Sequence, residues 1–131
     1  MGCGESLPTV SVKIIEAKNV PKMDLIGKSD PYVVASVISV NETKKTKSIN
    51  NTDKPKWDEI LTLHYRDQQN DKIKFVMYDE DNVSDDDPIA TLEVHLNTID
   101  IEKGIDQWYK MDTVKGVKDK KGIKIHLAIH F

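Results

Sequence analysis

The sequence contains a single cysteine, Cys3, so no disulfide can form within the chain. It also contains no apolar run of about fifteen residues, so the printed chain offers neither a signal-peptide core nor a transmembrane helix. Disulfides belong mainly to proteins of oxidising compartments. These two absences together lead us to expect a protein of the cytoplasm.

Histidine, a common general base, is also scarce. Besides Cys3 the chain has only four histidines, and no nucleophile–base pair is recognisable in the sequence. We therefore predict that the protein is not an enzyme. The net charge of −3 is small, and nothing in it indicates nucleic acid as a partner.

Carboxylates are concentrated in two segments that lie far apart in the sequence. We call residues 23–32 the first acidic segment and residues 78–87 the second acidic segment. If the two segments meet, five aspartates can face one another, and they repel unless a cation lies between them. Oxygen ligands at this density, without thiolate or imidazole, favour Ca²⁺. The alternative is a pair of solvated turns, since aspartate also favours turns for its own reasons.

Apolar and polar residues alternate along most of the remaining chain, which is the period of a β-strand with one buried face. The pattern and the turn residues predict one helical turn at residues 97–103, capped by Asn97. They predict eight strands, at residues 9–17, 32–39, 43–49, 57–65, 73–78, 89–96, 107–111 and 123–131. The 131 residues then form one all-β domain, an eight-stranded antiparallel β-sandwich at residues 9–131, after a flexible leader at residues 1–8.

The predicted strand order also places the acidic segments. Successive strands of an antiparallel sandwich run in opposite directions, so alternate loops lie at the same end. The loops at residues 18–30, 50–56, 79–88 and 112–122 should therefore share one end. That end would hold both acidic segments together with the lysine-rich stretch before the last strand.

Three stretches of the chain resemble the C2 domain family. The pattern Met-Asp-x5-Asp-Pro-Tyr at residues 23–32 resembles the first calcium loop, and Asp-x-Asp-x5-Asp at residues 79–87 resembles the third. Residues 43–59 resemble the third strand and second loop. The spacings are similar to those of calcium-binding members such as protein kinase C and synaptotagmin. The first strand leads directly into the first loop, which implies the type II topology, with both termini opposite the calcium loops.

The resemblance also implies a set of calcium ligands. Two or three Ca²⁺ would be held by side chains and by the backbone carbonyls of Met23 and Glu80, with Ser84 as a weaker ligand of an outer ion. The five side-chain ligands that the motifs imply are Asp24, Asp30, Asp79, Asp81 and Asp87. Asp85 and Asp86 are additional carboxylates beyond the common pattern.

Several residues near these loops are candidates for membrane contact. Leu25, Ile26 and Val83 lie at the loop tips, where we expect shallow insertion between lipid headgroups; the alternative is that they are merely exposed. Lysines are the candidate contacts for anionic lipid, although edge-strand lysines also serve solubility. The candidates are Lys44, Lys45, Lys47, Lys115 and Lys118. Val34 and Ser36 replace the lysines of phosphoinositide-binding members, which argues against a specific phosphoinositide site there.

The function that the resemblance implies is Ca²⁺-dependent binding to anionic phospholipid membranes. We expect a monomer in the cytoplasm that moves to the inner face of the plasma membrane, or to another anionic membrane, when calcium rises. The alternative is an adaptor whose sheet faces bind a protein partner, with calcium structural or absent.

The leader carries a further motif. Residues 1–6 match the Met-Gly-x-x-x-Ser pattern of N-myristoylation at Gly2, and Cys3 is an adjacent candidate for palmitoylation. The alternative is an unmodified, disordered start, because short matches of this kind are common by chance.

Overall fold

The computed structural model describes residues 6–23, 27–81, 85–119 and 121–131. Two antiparallel sheets pack face to face, one with the strand order β4-β1-β9-β7 and the other with the order β3-β2-β5-β6-β8. The strands are β1 (Thr9–Lys18), β2 (Pro31–Val37), β3 (Glu42–Lys45), β4 (Lys56–His64), β5 (Lys72–Asp79), β6 (Asp87–His95), β7 (Ile105–Lys110), β8 (Asp112–Thr113) and β9 (Lys124–His130). The predicted all-β antiparallel sandwich is confirmed.

The structure differs from the predicted elements in several places. The predicted second strand, 32–39, ends at Val37 and is followed by a 3-10 turn, Ile38–Val40. The predicted third strand, 43–49, ends at Lys45. A two-residue strand, β8, pairs with the edge of β6 and had no signal in the sequence. The predicted helical turn is a short 3-10 turn, Leu96–Thr98, and the prediction that Asn97 caps it is wrong. Asn97 lies inside the turn, and its side-chain amide donates to the backbone carbonyl of Gln69 over 3.1 Å.

The core lies between the two sheets. Alternate residues of each strand point inward because successive side chains of a strand project to opposite faces. Val10, Val12 and Ile14 of β1 are fully buried, and so are the inward residues of β5 and β9. Trp57 is also buried, and its indole N–H donates to the carbonyl of Pro31 over 3.2 Å, which ties β4 to the start of β2.

The loops that carry the acidic segments meet at one end of the sandwich, as the strand order predicts. The backbone N–H of Thr52 donates to the carbonyl of Ser29 over 2.9 Å, and the side-chain amide of Asn19 donates to the carbonyl of Gly122 over 3.0 Å. The first of these loops is thus joined directly to the loop before β4 and to the loop before β9.

The described parts of both termini lie at the opposite end. The backbone N–H of Tyr65 donates to the carbonyl of Pro8 over 3.0 Å, and the ring of Tyr65 packs edge-on against Phe131 at 5.5 Å. The first strand leads directly into the first acidic segment, in the order that type II topology requires. In the described part of the chain, no helix has the length and apolarity that crossing a membrane requires.

Candidate metal site

Asp30 and Asp79 bring the two acidic segments into contact. Asp79 is the last residue of β5 and is 4% exposed, while Asp30 directly precedes β2 and is half-buried. Antiparallel pairing of β2 with β5 sets Pro31 opposite Asp79. The backbone N–H of Asp30 donates to Oδ1 of Asp79 over 2.8 Å. A hydrogen bond to an ionised oxygen is stronger than a neutral one, so this contact fixes the relative position of the two loops.

The loop between β3 and β4 supports the same region. Oδ1 of Asp30 accepts a hydrogen bond from the backbone N–H of Asn51 over 2.6 Å. The backbone N–H of Glu80 donates to the carbonyl of Asp30 over 3.0 Å. The side chain of Glu80 accepts from the hydroxyl of Ser48 over 3.0 Å, so it is directed towards that loop.

Asp86 has a role that the sequence did not indicate. Its Oδ1 accepts a hydrogen bond from the backbone N–H of Asp81 over 2.9 Å, and its Oδ2 accepts one from the hydroxyl of Tyr32. Asp86 therefore joins the second acidic segment to β2. The one signal in the sequence is the tendency of aspartate to hydrogen-bond nearby backbone N–H groups in turns, and that tendency does not identify Tyr32 as a partner.

The electrostatics of this pair keep Asp86 ionised and Tyr32 neutral. The N–H of Asp81 and then the hydroxyl of Tyr32 lower the pKa of Asp86 below its usual value. Burial, followed by the hydrogen bond to Asp86, raises the pKa of Tyr32 well above that of an exposed tyrosine. The Tyr32 ring stacks on Tyr78 at 5.5 Å, and Nζ of Lys45 lies 5.6 Å from its centroid.

The other predicted ligands are partly described. Asp87 begins β6 and pairs in register with Asp79, so the two residues are neighbours on adjacent strands, with Asp87 exposed. Met23 is half-buried and packs against the core. Several predictions fall on residues outside the described part of the chain, namely those on Asp24, Leu25, Ile26, Val83, Ser84, Gly2 and Cys3.

The chemistry of the predicted ligands suits one class of metal ion. Within residues 6–23, 27–81, 85–119 and 121–131, no three histidine, cysteine or acidic side chains form a group that could hold a metal. The predicted set includes Asp24, which lies outside those ranges. Chemically the set fits Ca²⁺, since it consists of carboxylates and carbonyls and neither acidic segment contains histidine or cysteine.

The candidate lipid-contacting lysines fall into two groups. Lys44 and Lys45 are exposed on β3, an edge strand, and Lys47 follows them. Lys115 and Lys118 are exposed in the loop before β9. Lys44 and Lys45 therefore belong to the five-stranded sheet, and Lys115 and Lys118 belong to the end that holds the acidic segments.

Comparison with known proteins identifies the family. A sequence model of the C2 domain matches residues 8–111. The chain therefore belongs to the C2 domain family, and its two-sheet architecture agrees with that assignment.

Individual relatives extend over nearly the whole chain. Multiple C2 domain and transmembrane region protein 8 of Arabidopsis thaliana is 31% identical over 97% of this chain and 13% of its own length. The calcium-dependent lipid-binding protein of the same plant is 31% identical over 92% of this chain and 24% of its own length. The chain thus spans a quarter or less of these relatives. A C2 domain of plant extended synaptotagmin 1 has the same fold, with a TM-score of 0.83 and 23% identity over 96% of this chain and 95% of that one.

Proposed function

We propose that this protein binds anionic phospholipid membranes in a Ca²⁺-dependent manner, through the loops that carry the two acidic segments. The observation that carries the proposal is the hydrogen bond between the backbone of Asp30 and the carboxylate of Asp79, which joins the two segments at one end of the sandwich. The similarity of this chain to a calcium-dependent lipid-binding protein supports the same proposal.

The proposed ligands follow the family motifs. Ca²⁺ would be held by five aspartate side chains, by the carbonyls of Met23 and Glu80 and, for an outer ion, by Ser84. The aspartates are Asp24, Asp30, Asp79, Asp81 and Asp87. Five ionised carboxylates carry about −5 at neutral pH, so this end of the apoprotein repels an anionic surface. Two bound Ca²⁺ would return +4 and supply open coordination positions for lipid phosphate.

Membrane contact in this proposal has an apolar and a cationic part. Leu25, Ile26 and Val83 would insert between the headgroups beside the calcium loops. The lysines would then interact with anionic lipid, each contributing about 1 kcal/mol near such a surface. They are Lys44, Lys45, Lys47, Lys115 and Lys118.

Pelleting with liposomes tests this function. We expect the protein to sediment with phosphatidylcholine–phosphatidylserine vesicles in Ca²⁺ and to remain in the supernatant with chelator or with phosphatidylcholine alone. Binding should weaken as salt rises, because screening shortens the range of the attraction to about 8 Å at physiological ionic strength. Sedimentation that is equal with and without Ca²⁺ would contradict the proposal.

A triple variant separates the apolar part from the cationic part. Replacing Leu25, Ile26 and Val83 by alanine should reduce binding at high salt more than at low salt, because apolar burial is not screened. The variant Lys44→Gln with Lys45→Gln is the matched comparison and should show the opposite salt dependence. If the triple variant sediments like the wild type, the three tip residues have no role in binding.

A protein adaptor is the second candidate function, and one observation favours it. Ile60 and Trp108 are 63% and 38% exposed on β4 and β7, the two edge strands of the four-stranded sheet. A partner protein that covers this face would bind without Ca²⁺. Binding that is lost in Trp108→Ala and unaffected by chelator would identify this function instead.

A further inference from the structure

A second site lies beside the first acidic segment. Three loops enclose a cavity of about 290 Å³ at the same end of the sandwich. This volume is at the lower limit for small-molecule sites, so it suits a headgroup-sized ligand. The loop after β1, the loop before β4 and the loop before β9 form its walls, which are lined by Asn19, Val20, Pro21, Lys22, Asp53, Lys118, Asp119 and Lys121.

Hydrogen bonds between the walls form the cavity in advance of any ligand. The backbone N–H of Val20 donates to the carbonyl of Asp53 over 2.9 Å. The side chain of Asn19, whose backbone has a φ of 62°, donates to the carbonyl of Gly122 over 3.0 Å. All three loops are therefore joined by direct bonds, and a ligand would not have to order them first.

The carboxylates of the cavity are already engaged. Oδ1 of Asp119 accepts from the backbone N–H of Gly122 over 2.8 Å, and its Oδ2 accepts from the backbone N–H of Ile123 over 3.1 Å. Asp53 has Nζ of Lys28 at 3.7 Å, and that lysine does not line the cavity. Both carboxylates therefore have partners within the protein, and the three lysines that line the cavity outnumber them.

The three lysines of the cavity differ from its carboxylates in their surroundings. Lys22, Lys118 and Lys121 are exposed, and none of them forms an ion pair with a residue that the structure describes. Three ammonium groups around a small concave site repel one another, and a multivalent anion relieves that repulsion. A phosphate group carries up to two negative charges at neutral pH and three acceptor oxygens, which matches three cationic donors.

We propose that this cavity, the lysine pocket, binds a phosphate group, either that of a phosphorylated lipid headgroup or that of a small phosphate ester in solution. Lys22 directly precedes Met23, so the pocket lies next to the first acidic segment. If the phosphate belongs to a lipid headgroup, this inference rests on the proposed membrane function. If it belongs to a phosphate ester in solution, the inference is independent of that function. With a lipid ligand, the pocket would select the headgroup, and Ca²⁺ would bring the protein to the membrane.

A titration with inorganic phosphate and with inositol 1,4,5-trisphosphate tests the pocket in chelator, where the calcium loops do not contribute. Backbone amide resonances of residues in or next to the pocket, followed by nuclear magnetic resonance, should shift and reach saturation; these are the amides of Asn19, Val20, Lys22, Lys118, Asp119, Lys121 and Gly122. The variant Lys118→Gln with Lys121→Gln should bind phosphate roughly tenfold more weakly, the order expected for removing two nearby cations. Lys56→Gln with Lys103→Gln changes the net charge equally at exposed positions that do not line the pocket, and should bind like the wild type. Equal losses in both variants, or no shift of the pocket amides, would overturn the proposal.

Vesicles distinguish the two sources of phosphate. In Ca²⁺, the pocket variant should lose its preference for phosphatidylinositol 4-phosphate over phosphatidylserine if the ligand is a lipid headgroup. An unchanged preference, together with weakened binding of inositol trisphosphate, assigns the pocket to phosphate esters in solution. Failure of the membrane function itself would appear as no sedimentation of the wild type, which leaves the chelator titration unaffected.

Discussion

The carboxylate of Asp79 accepts a hydrogen bond from the backbone N–H of Asp30 over 2.8 Å, although 49 residues separate them in the chain. One residue ends β5 and the other precedes β2, and the pairing of these two strands creates the contact. Asp30 in turn accepts a hydrogen bond from the backbone N–H of Asn51. The side chains of these two aspartates therefore join three loops to one another. A change at either aspartate should therefore alter the geometry of the whole end.

Calcium should stabilise the folded protein through the acidic segments. A ligand present at about 100 times its Kd, bound only by the folded state, contributes about 2.7 kcal/mol. Asp24→Asn with Asp81→Asn should remove most of the calcium-induced rise in Tm, measured by differential scanning calorimetry. Asp58→Asn with Asp106→Asn, at exposed positions of the four-stranded sheet, is the matched control and should keep the rise. An unchanged rise in the first variant would refute the ligand assignment.

Tyr32 should influence calcium affinity without contacting the ion. Tyr32→Phe keeps the ring that stacks on Tyr78 but removes the hydroxyl that donates to Asp86. We expect calcium binding to weaken by about 1 kcal/mol, roughly fivefold, because Asp86 would then hold the backbone of Asp81 less firmly. Isothermal titration calorimetry measures this. In Tyr109→Phe, which removes a buried hydroxyl without a hydrogen-bond partner among the described residues, calcium affinity should be unchanged.

Gly104 should be far less tolerant of substitution than Gly116. Both have positive φ, at 67° and 92°, so alanine costs about 1–2 kcal/mol of backbone strain at either position. At Gly104 an added Cβ would also lie 2.5 Å from the carbonyl oxygen of Ile129 and would collide with the ring of His130, whereas nothing lies within 4 Å at Gly116. Urea denaturation should therefore show a loss of about 3 kcal/mol or more for Gly104→Ala, with overpacking added to strain. Equal losses for the two variants would contradict this.

Asp71 should make stability depend on acid pH. Burial would raise its pKa, but hydrogen bonds from the backbone N–H groups of Asp67 and Arg66, at 2.9 and 2.7 Å, outweigh burial and lower the pKa. A lowered pKa in the folded state means that the carboxylate stabilises the fold at pH values above the unfolded pKa. This stabilisation is lost as pH falls through the folded pKa.

The variant Asp71→Asn isolates that charge, because an amide oxygen can still accept both hydrogen bonds. We expect it to be about 1 kcal/mol less stable at pH 7, since charged acceptors form stronger hydrogen bonds. The difference should vanish as pH falls below the usual aspartate range. A difference that stays constant with pH, measured by urea denaturation, would show that the charge is not responsible.

The leader should act as a weak anchor if it is acylated. Thr9–Lys18 spans about 33 Å, and residues 2–8 reach at most about 25 Å. Because β1 begins at the end opposite the acidic segments, an acyl chain on Gly2 requires the domain to lie on its side, with the β3 lysines towards the lipid. Membrane retention in chelator should then fall for Gly2→Ala, while the calcium response should survive. An unmodified N-terminal mass of the native protein would exclude the anchor.

The strand pattern and the acidic motifs were determined by the sequence alone. Alternation along β1, β5 and β9 is a local property, because neighbouring side chains of a strand must face opposite sides of the sheet. The spacing of aspartates in residues 23–32 and 78–87 is also local, and by itself it predicts two acidic loops and a calcium site. Antiparallel order then placed both segments at one end.

Only the tertiary structure decided which side chains hold that end together. The bond from Tyr32 to Asp86 spans 54 residues, and the contact of Asn19 with Gly122 spans 103. The two-residue strand β8 and the lysine pocket likewise exist only where distant segments meet. Each side chain involved has several possible partners in a turn, so its local sequence does not select one. The selection is made when the packed sheets fix the distances, and a hydrogen bond forms only within a narrow range of distance and angle.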